Sequence, residues 1–161
     1  MNKLLTGAIG VVVGGRAPNI FTTLARHRRL FRRWLVFAGG LMPGGAIPRR
    51  ETELVILYVA RRMGSEYEWN HHERLGKRVG VSSNELEQVR SGTIVADCFS
   101  AREQALLLAA CELLDQADIS DATYARLLER VSDREIIELC LLVGHYQMLA
   151  MTLKALRVAP D

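Results

Sequence analysis

Within eight residues the chain places two carboxylates, two imidazoles, a tyrosine and a tryptophan: Ser65-Glu66-Tyr67-Glu68-Trp69-Asn70-His71-His72. On a helix, Glu68 and His72 are four apart and share a face, with His71 three residues from Glu68 and close by. A carboxylate beside an imidazole can move protons near neutral pH, because it orients the ring and stabilises its charged form. Trp69 points elsewhere, toward a core. The same residues also have a plainer reading. Ser65 with Glu68 fits the Ser-x-x-Glu capping box, and Glu68 with His72 could be a surface pair worth about a few tenths of a kcal/mol.

The elements around this segment are helical. Pro18-Asn19 opens a helix that Arg26 to Arg29 interrupts, and a second helix runs to about Met42. Pro43-Gly44-Gly45 breaks the chain. Pro48 then starts a segment whose Leu54, Ile56, Leu57, Val59 and Ala60 cover more than one face, which predicts a buried helix ending near Gly64. Four starts carry the capping box: Ser65 with Glu68, Ser82 with Glu85, Ser100 with Glu103, and Ser132 with Glu135. Ser120 is a fifth N-cap. The last helix, from about Asp133 to Val158, is apolar nearly all round, as suits a central or interface-packed element. No segment alternates with period two, so the fold is all-α and single-domain over residues 1–161.

Composition narrows the function classes. Apolar residues make up 49% and charged residues 24%, an ordinary globular balance that argues against disorder. The formal charge of +3 comes largely from Arg26, Arg28, Arg29, Arg32 and Arg33, with His27 among them. Arg28, Arg29, Arg32 and Arg33 form one helix face, a solvated one, opposite Leu30, Trp34, Phe37, Ala38 and Leu41. No nucleic-acid reading motif accompanies them, so no nucleic-acid partner is expected. Residues 1–17 read as a terminal helix or arm, whose apolar run is too short to span a bilayer of about 20 residues' depth. A soluble, cytoplasmic protein without a membrane partner is the expectation. Cys98, Cys111 and Cys140 form no CxxC; Cys111 and Cys140 read as inert core thiols, and Cys98 as more accessible.

The run Glu53-Leu54-Val55-Ile56-Leu57 through Gly64-Ser65-Glu66-Tyr67-Glu68-Trp69 to His72 resembles the carboxymuconolactone decarboxylase family, which includes the AhpD-like alkylhydroperoxidases. Pro18-Asn19-Ile20-Phe21 and Gly144-His145-Tyr146-Gln147-Met148 add weaker similarity, so the resemblance spans about 18–158. It implies an AhpD-like helical bundle and a homo-oligomer, a trimer or a multiple of one. In the peroxidase branch a CxxC pair opens this helix, with a histidine four residues after the second cysteine and a glutamate twelve before the first. Those spacings fall on Ser65, Glu68, His72 and Glu53. The glutamate and histidine are kept, and both cysteines are absent. A thiol peroxidase needs a thiolate to attack peroxide and a second thiol to resolve it, so that mechanism has no groups here.

An acid–base set remains: Glu53, Glu68 and His72, with Tyr67 and His145 as additions. The resemblance to the decarboxylase branch implies lyase-type chemistry on a small organic acid or lactone, with no cofactor and no metal. His72 is then the acid or base, Glu68 and Glu53 its orienters or relay, and Tyr67 a hydrogen-bond donor. His145 can equally be a core histidine bonded to backbone. Three alternatives stay open: the family's peroxiredoxin-type label without the thiol mechanism, a metal site built from Glu53, Glu68, His72 and His145, and a non-catalytic helical oligomer.

Overall fold

A computed structural model describes residues 17–161. The arm expected over residues 1–17 lies, apart from Ala17, outside the described residues. Eight helices follow in order: α1 (Asn19–Leu24), α2 (Arg28–Leu41), α3 (Arg49–Met63), α4 (Glu66–Arg78), α5 (Ser83–Ser91), α6 (Ala101–Gln116), α7 (Asp121–Leu128) and α8 (Asp133–Ala155). There is no strand among the described residues.

The expected buried helix is the hub of the bundle. α3 packs against α4, α5, α6 and α8, and every residue from Thr52 to Ala60 is buried. Each fully buried leucine, isoleucine or valine there stabilises the fold by about 1.5–3 kcal/mol, which is why a helix apolar on all sides settles at the centre. Two polar residues interrupt the apolar run. Thr52 Oγ1 donates to its own helix start, at Ile47 O and Pro48 O, both 3.3 Å. Glu53 needs a partner from elsewhere.

α3 ends at Gly64, which sits in the left-handed region at φ 59°, and the Ser65 N–H closes back on Ala60 O at 2.8 Å. This Schellman-type closure leaves no linker, so α4 starts at once and folds back along α3. The closure also undoes one expected cap. Ser65 has ψ 88°, whereas Ser82, Ser100 and Ser132 have ψ near the extended value, and only those three form full capping boxes. Ser120 caps α7 through Thr123 N. Ser65 makes no side-chain cap, because its backbone is committed to ending the previous helix.

The three boxed glutamates also tie helices together. Arg50 of α3 pairs with Glu85 and Glu103, and Arg102 of α6 pairs with Glu51 and Glu135. A carboxylate that caps its own helix is already held still, so an arginine pairing with it loses less side-chain freedom than at a mobile pair.

Three further expectations are corrected. Trp34, Ala38 and Leu41 of α2 turn inward, but Leu30 is 61% and Phe37 42% exposed, while Phe31 takes the buried position. The cause is that α2 touches the bundle along a narrow stripe, beside α1 and α8. Cys140 is exposed and Cys111 only half-buried, since both lie on the outer sides of their helices. α8 ends at Ala155, three residues before the expected limit. It is long and apolar enough to cross a membrane, yet half of that stretch is buried in the protein.

The cap correction has a direct thermodynamic consequence. Ser100→Ala should cost about 1 kcal/mol in urea unfolding. Ser65→Ala should cost clearly less than Ser100→Ala, since the Ser65 hydroxyl caps no helix.

Candidate active site

Glu53 lies in the second turn of α3 with no exposed surface, and His72 faces it from α4. His72 Nδ1 stands 2.7 Å from Glu53 Oε2, across 19 residues of sequence. Arg49, one turn earlier on α3, brings its guanidinium to 2.5 Å from Glu53 Oε1 as an ion pair without an aligned hydrogen bond. A buried carboxylate with two such neighbours orients the imidazole through Nδ1 and leaves Nε2 for other work. The i, i+4 pairing of Glu68 with His72 does not form, because His72 is already committed to Glu53.

Glu68 is instead turned inward. Its carboxyl is buried, and neither oxygen has an aligned hydrogen-bond partner among the described residues. Burial pushes this carboxyl up to about 8, with the nearby Ser65 hydroxyl pulling the other way. At pH 7 it therefore holds a proton. The absence of the expected cap is what frees Glu68 for this position.

Glu68, His72, His145 and Tyr67 all line one cavity of about 290 Å³ between α1, α2, α4 and α8. Glu53 sits behind His72 and does not line it. Tyr146, unassigned from sequence, supplies a wall: its ring lies edge-on to His72 at 5.1 Å and to His145 at 5.3 Å. Burial, then the Glu53 and Glu68 carboxylates, pushes its phenol well above the usual value, so it stays protonated. His145 packs on Trp34 at 6.0 Å and edge-on to Phe37 at 5.3 Å. Its buried Nδ1 has no partner among the described residues, so the expected backbone bond is not made. Burial lowers His145 to about 4; burial, then the His72 charge, does the same for His71. Both rings are neutral at pH 7.

Tyr67, expected as a hydrogen-bond donor, donates to the C-terminal residue. Its hydroxyl accepts from Ile20 N at 3.1 Å and donates to Asp161 Oδ2 at 2.6 Å. Asp161 Oδ1 in turn accepts from Asn19 N at 2.6 Å. Tyr67 thus latches α1 and the C-terminal residues over the cavity, and its one proton is spent on Asp161. No sequence signal pointed to this contact, which spans 94 residues. His27 caps α2, its Nδ1 accepting from Leu30 N at 3.4 Å, away from the site. Among the described residues no three His, Cys, Asp or Glu side chains gather in a metal-holding arrangement, so the four candidate ligands do not converge as a set. No cysteine lines the cavity.

An all-helical bundle with a glutamate–histidine pair beside a small cavity defines the class, and the family follows from the sequence. The carboxymuconolactone decarboxylase family model matches residues 28–112, more than half of the chain, and the protein belongs to that family. No curated protein matches it. An uncharacterized peroxidase-related protein from a Silicibacter species superposes with a TM-score of 0.89 at 18% identity, over 99% of this chain and 84% of that one. A peroxidase-related protein from Ralstonia eutropha, described as an alkylhydroperoxidase AhpD core, gives 0.87 at 18% identity over the same shares. A protein of unknown function from Agrobacterium tumefaciens, described as an AhpD-type antioxidant defence protein, gives 0.75 at 16% over 85% and 94%. At these identities the likeness establishes a shared fold.

The buried carboxyl should be visible in stability. Its folded value is raised above the ordinary carboxylate value of 4.5, so the folded state holds the extra proton between pH 4.5 and about 8. Stability from this group is full below pH 4.5 and is lost as the pH rises through 8. Glu68→Gln should therefore match the wild type in melting temperature near pH 4.5 and exceed it increasingly up to pH 9. Equal melting curves at both ends would refute the buried protonated state. Tyr67→Phe should lower stability by about 1 kcal/mol through loss of the latch, with no change in the pH at which Glu68 titrates.

Proposed function

We propose that this protein is a cofactor-free acid–base enzyme of lyase type, acting on a small organic acid or lactone. The observation that carries the reading is the buried, protonated and unpartnered Glu68 carboxyl on the wall of a cavity that His72 also lines. A carboxyl kept neutral at pH 7 by an apolar site can donate a proton to a developing carbanion or oxyanion.

For a decarboxylation the steps are these. The substrate carboxylate enters a cavity walled largely by Trp34, Leu41, Tyr146 and Leu149, where it is poorly solvated. The C–C bond breaks to release CO2, and its electron pair passes to an adjacent carbonyl as an enolate. Glu68 gives its proton to the carbon and becomes a carboxylate. His72, its Nδ1–H donated to Glu53, takes a proton from water at Nε2 and passes it to Glu68, which restores the acid. One proton is consumed and none is stranded. A cavity near 300 Å³ is at the low end for small-molecule sites, in keeping with a small substrate.

The thiol-peroxidase chemistry of the family's other branch finds no support, since neither Ser65 nor Glu68 can form a thiolate. We also propose self-association. Ile137, Leu141, Met148 and Met151 recur along one exposed line of α8, and covering them would remove apolar surface from water.

A panel of lactones, β-keto acids and unsaturated diacids, followed by CO2 release and ultraviolet absorbance, tests the catalytic reading. Glu68→Gln and His72→Ala should each lower kcat/KM by about a hundredfold or more, the size of a lost acid–base group. The wild-type rate should fall as pH rises through about 8, where Glu68 loses its proton. Glu68→Gln activity equal to wild type on a turned-over substrate would remove Glu68 from the mechanism. Light scattering on the wild type and on Leu141→Lys tests assembly: the variant should shift toward the monomer.

A further inference from the structure

A second, larger cavity lies outside the site. It is an open groove of about 930 Å³ between α1, α2 and the end of α8. Its floor is apolar, with Leu30, Phe31, Trp34, Phe37, Leu149 and Leu156 on it. Its rim carries Arg26, His27, Arg33 and Arg157, and no aspartate or glutamate lines it. The charge bias runs deeper than the groove. The first 50 residues hold nine lysine and arginine side chains and not one acid, and the nearest carboxylate, Asp161, is already engaged by Asn19 N and the Tyr67 hydroxyl.

Arg157 is an unusual choice for its place. It follows α8 in the left-handed region at φ 52°, with Arg157 N bonded to Lys154 O and Val158 N to Leu153 O. That is a Schellman closure, whose left-handed position glycine fills at least cost. An arginine there puts a guanidinium on the groove wall at the expense of backbone ease.

We infer that this groove binds an organic anion carrying a long aliphatic chain, with the chain on the apolar floor and the anionic end at the arginine rim. Charge complementarity selects this occupant. Residues 1–16 contain Lys3 and Arg16 but no acid, so they offer no anionic group for the rim. The volume suits a ligand of lipid size, near the upper end for small-molecule pockets. The groove also communicates with the site: Trp34 and Leu149 wall both cavities. The inner end of the chain would therefore rest against the ring that stacks on His145. Binding in the groove does not depend on the acid–base chemistry proposed for Glu68, and each can fail alone.

Calorimetric titration of the full chain with monomeric dodecanoate tests the inference. Saturable binding is expected, with dodecan-1-ol and acetate each about tenfold weaker or worse, the loss of a charge-assisted contact or of the apolar floor. Arg157→Gly should weaken dodecanoate about tenfold, one charge-assisted contact, while melting no lower than wild type, since glycine relieves the left-handed strain. Leu30→Asp, at an exposed position, should also weaken binding. Glu68→Gln should bind as the wild type does, which separates this result from the catalytic one. Equal affinity for the alcohol, or unchanged binding in both Arg157→Gly and Leu30→Asp, would overturn the inference. So would dodecanoate binding only after deletion of residues 2–16, or a protein that ignores the monomer yet sediments with phosphatidylglycerol vesicles.

Discussion

A carboxylate with no exposed surface is the constraint around which this bundle is arranged. Glu53 sits in the second turn of the most buried helix, where an unpaired charge would cost several kcal/mol. His72 answers it from the next helix and Arg49 from one turn before. Two features then become necessary. α4 must return along α3 without slack, and the left-handed Gly64 with the Ser65-to-Ala60 closure provides that. The opposite end of α3 must also be held against its neighbours. Arg50 and Glu51 do so by joining the capping glutamates of α5, α6 and α8, directly or through Arg102.

The same junction sets residues 65 and 68 apart from the other serine–glutamate helix starts. Three helices of this chain begin with a complete serine–glutamate box, and each of those glutamates is also paired with an arginine. α4 alone carries that pattern without using it. Its serine is turned by the closure of α3, and its glutamate points into a cavity with no partner for either oxygen. A buried unpaired carboxyl is a standing cost to the fold. That cost fits the proton-transfer role proposed for Glu68, since groups with perturbed protonation cluster at working sites.

The cavity's cover is built from distant parts of the chain. Ile20 and Phe21 of α1 close one side, held by Tyr67 and Asp161. Trp34, Phe37 and His145 stack through the other, so the aromatic wall of the site doubles as the end of the outer groove. Small shifts of α1 or α2 would change both at once. α1 has no fully buried residue; Ile20 and Leu24 pack half-buried on the core, Phe21 packs on Phe31 and Trp34, and these hydrogen bonds add to that hold.

Local patterns determined much of this protein. The all-α class, the breaks at Pro43 to Gly45 and at Gly64, the all-buried α3 and four of the five serine caps follow from periodicity and capping chemistry, which act within a few residues. The absence of a thiol pair and the presence of Glu53, Glu68 and His72 were equally plain from residue types, and family resemblance suggested that they belong together. Tertiary packing decided the rest. The Glu53 to His72 bond spans 19 residues and the Tyr67 to Asp161 bond 94, distances over which periodicity carries no information. Ser65 was misread because its ψ is set by the end of the preceding helix rather than by its own. Leu30, Phe37 and Cys140 were misplaced because a helical stripe says which residues share a side, but not how wide a strip the neighbours cover. Whether Glu68 carries a proton at neutral pH depends on its burial, which exists only once four helices have closed around it.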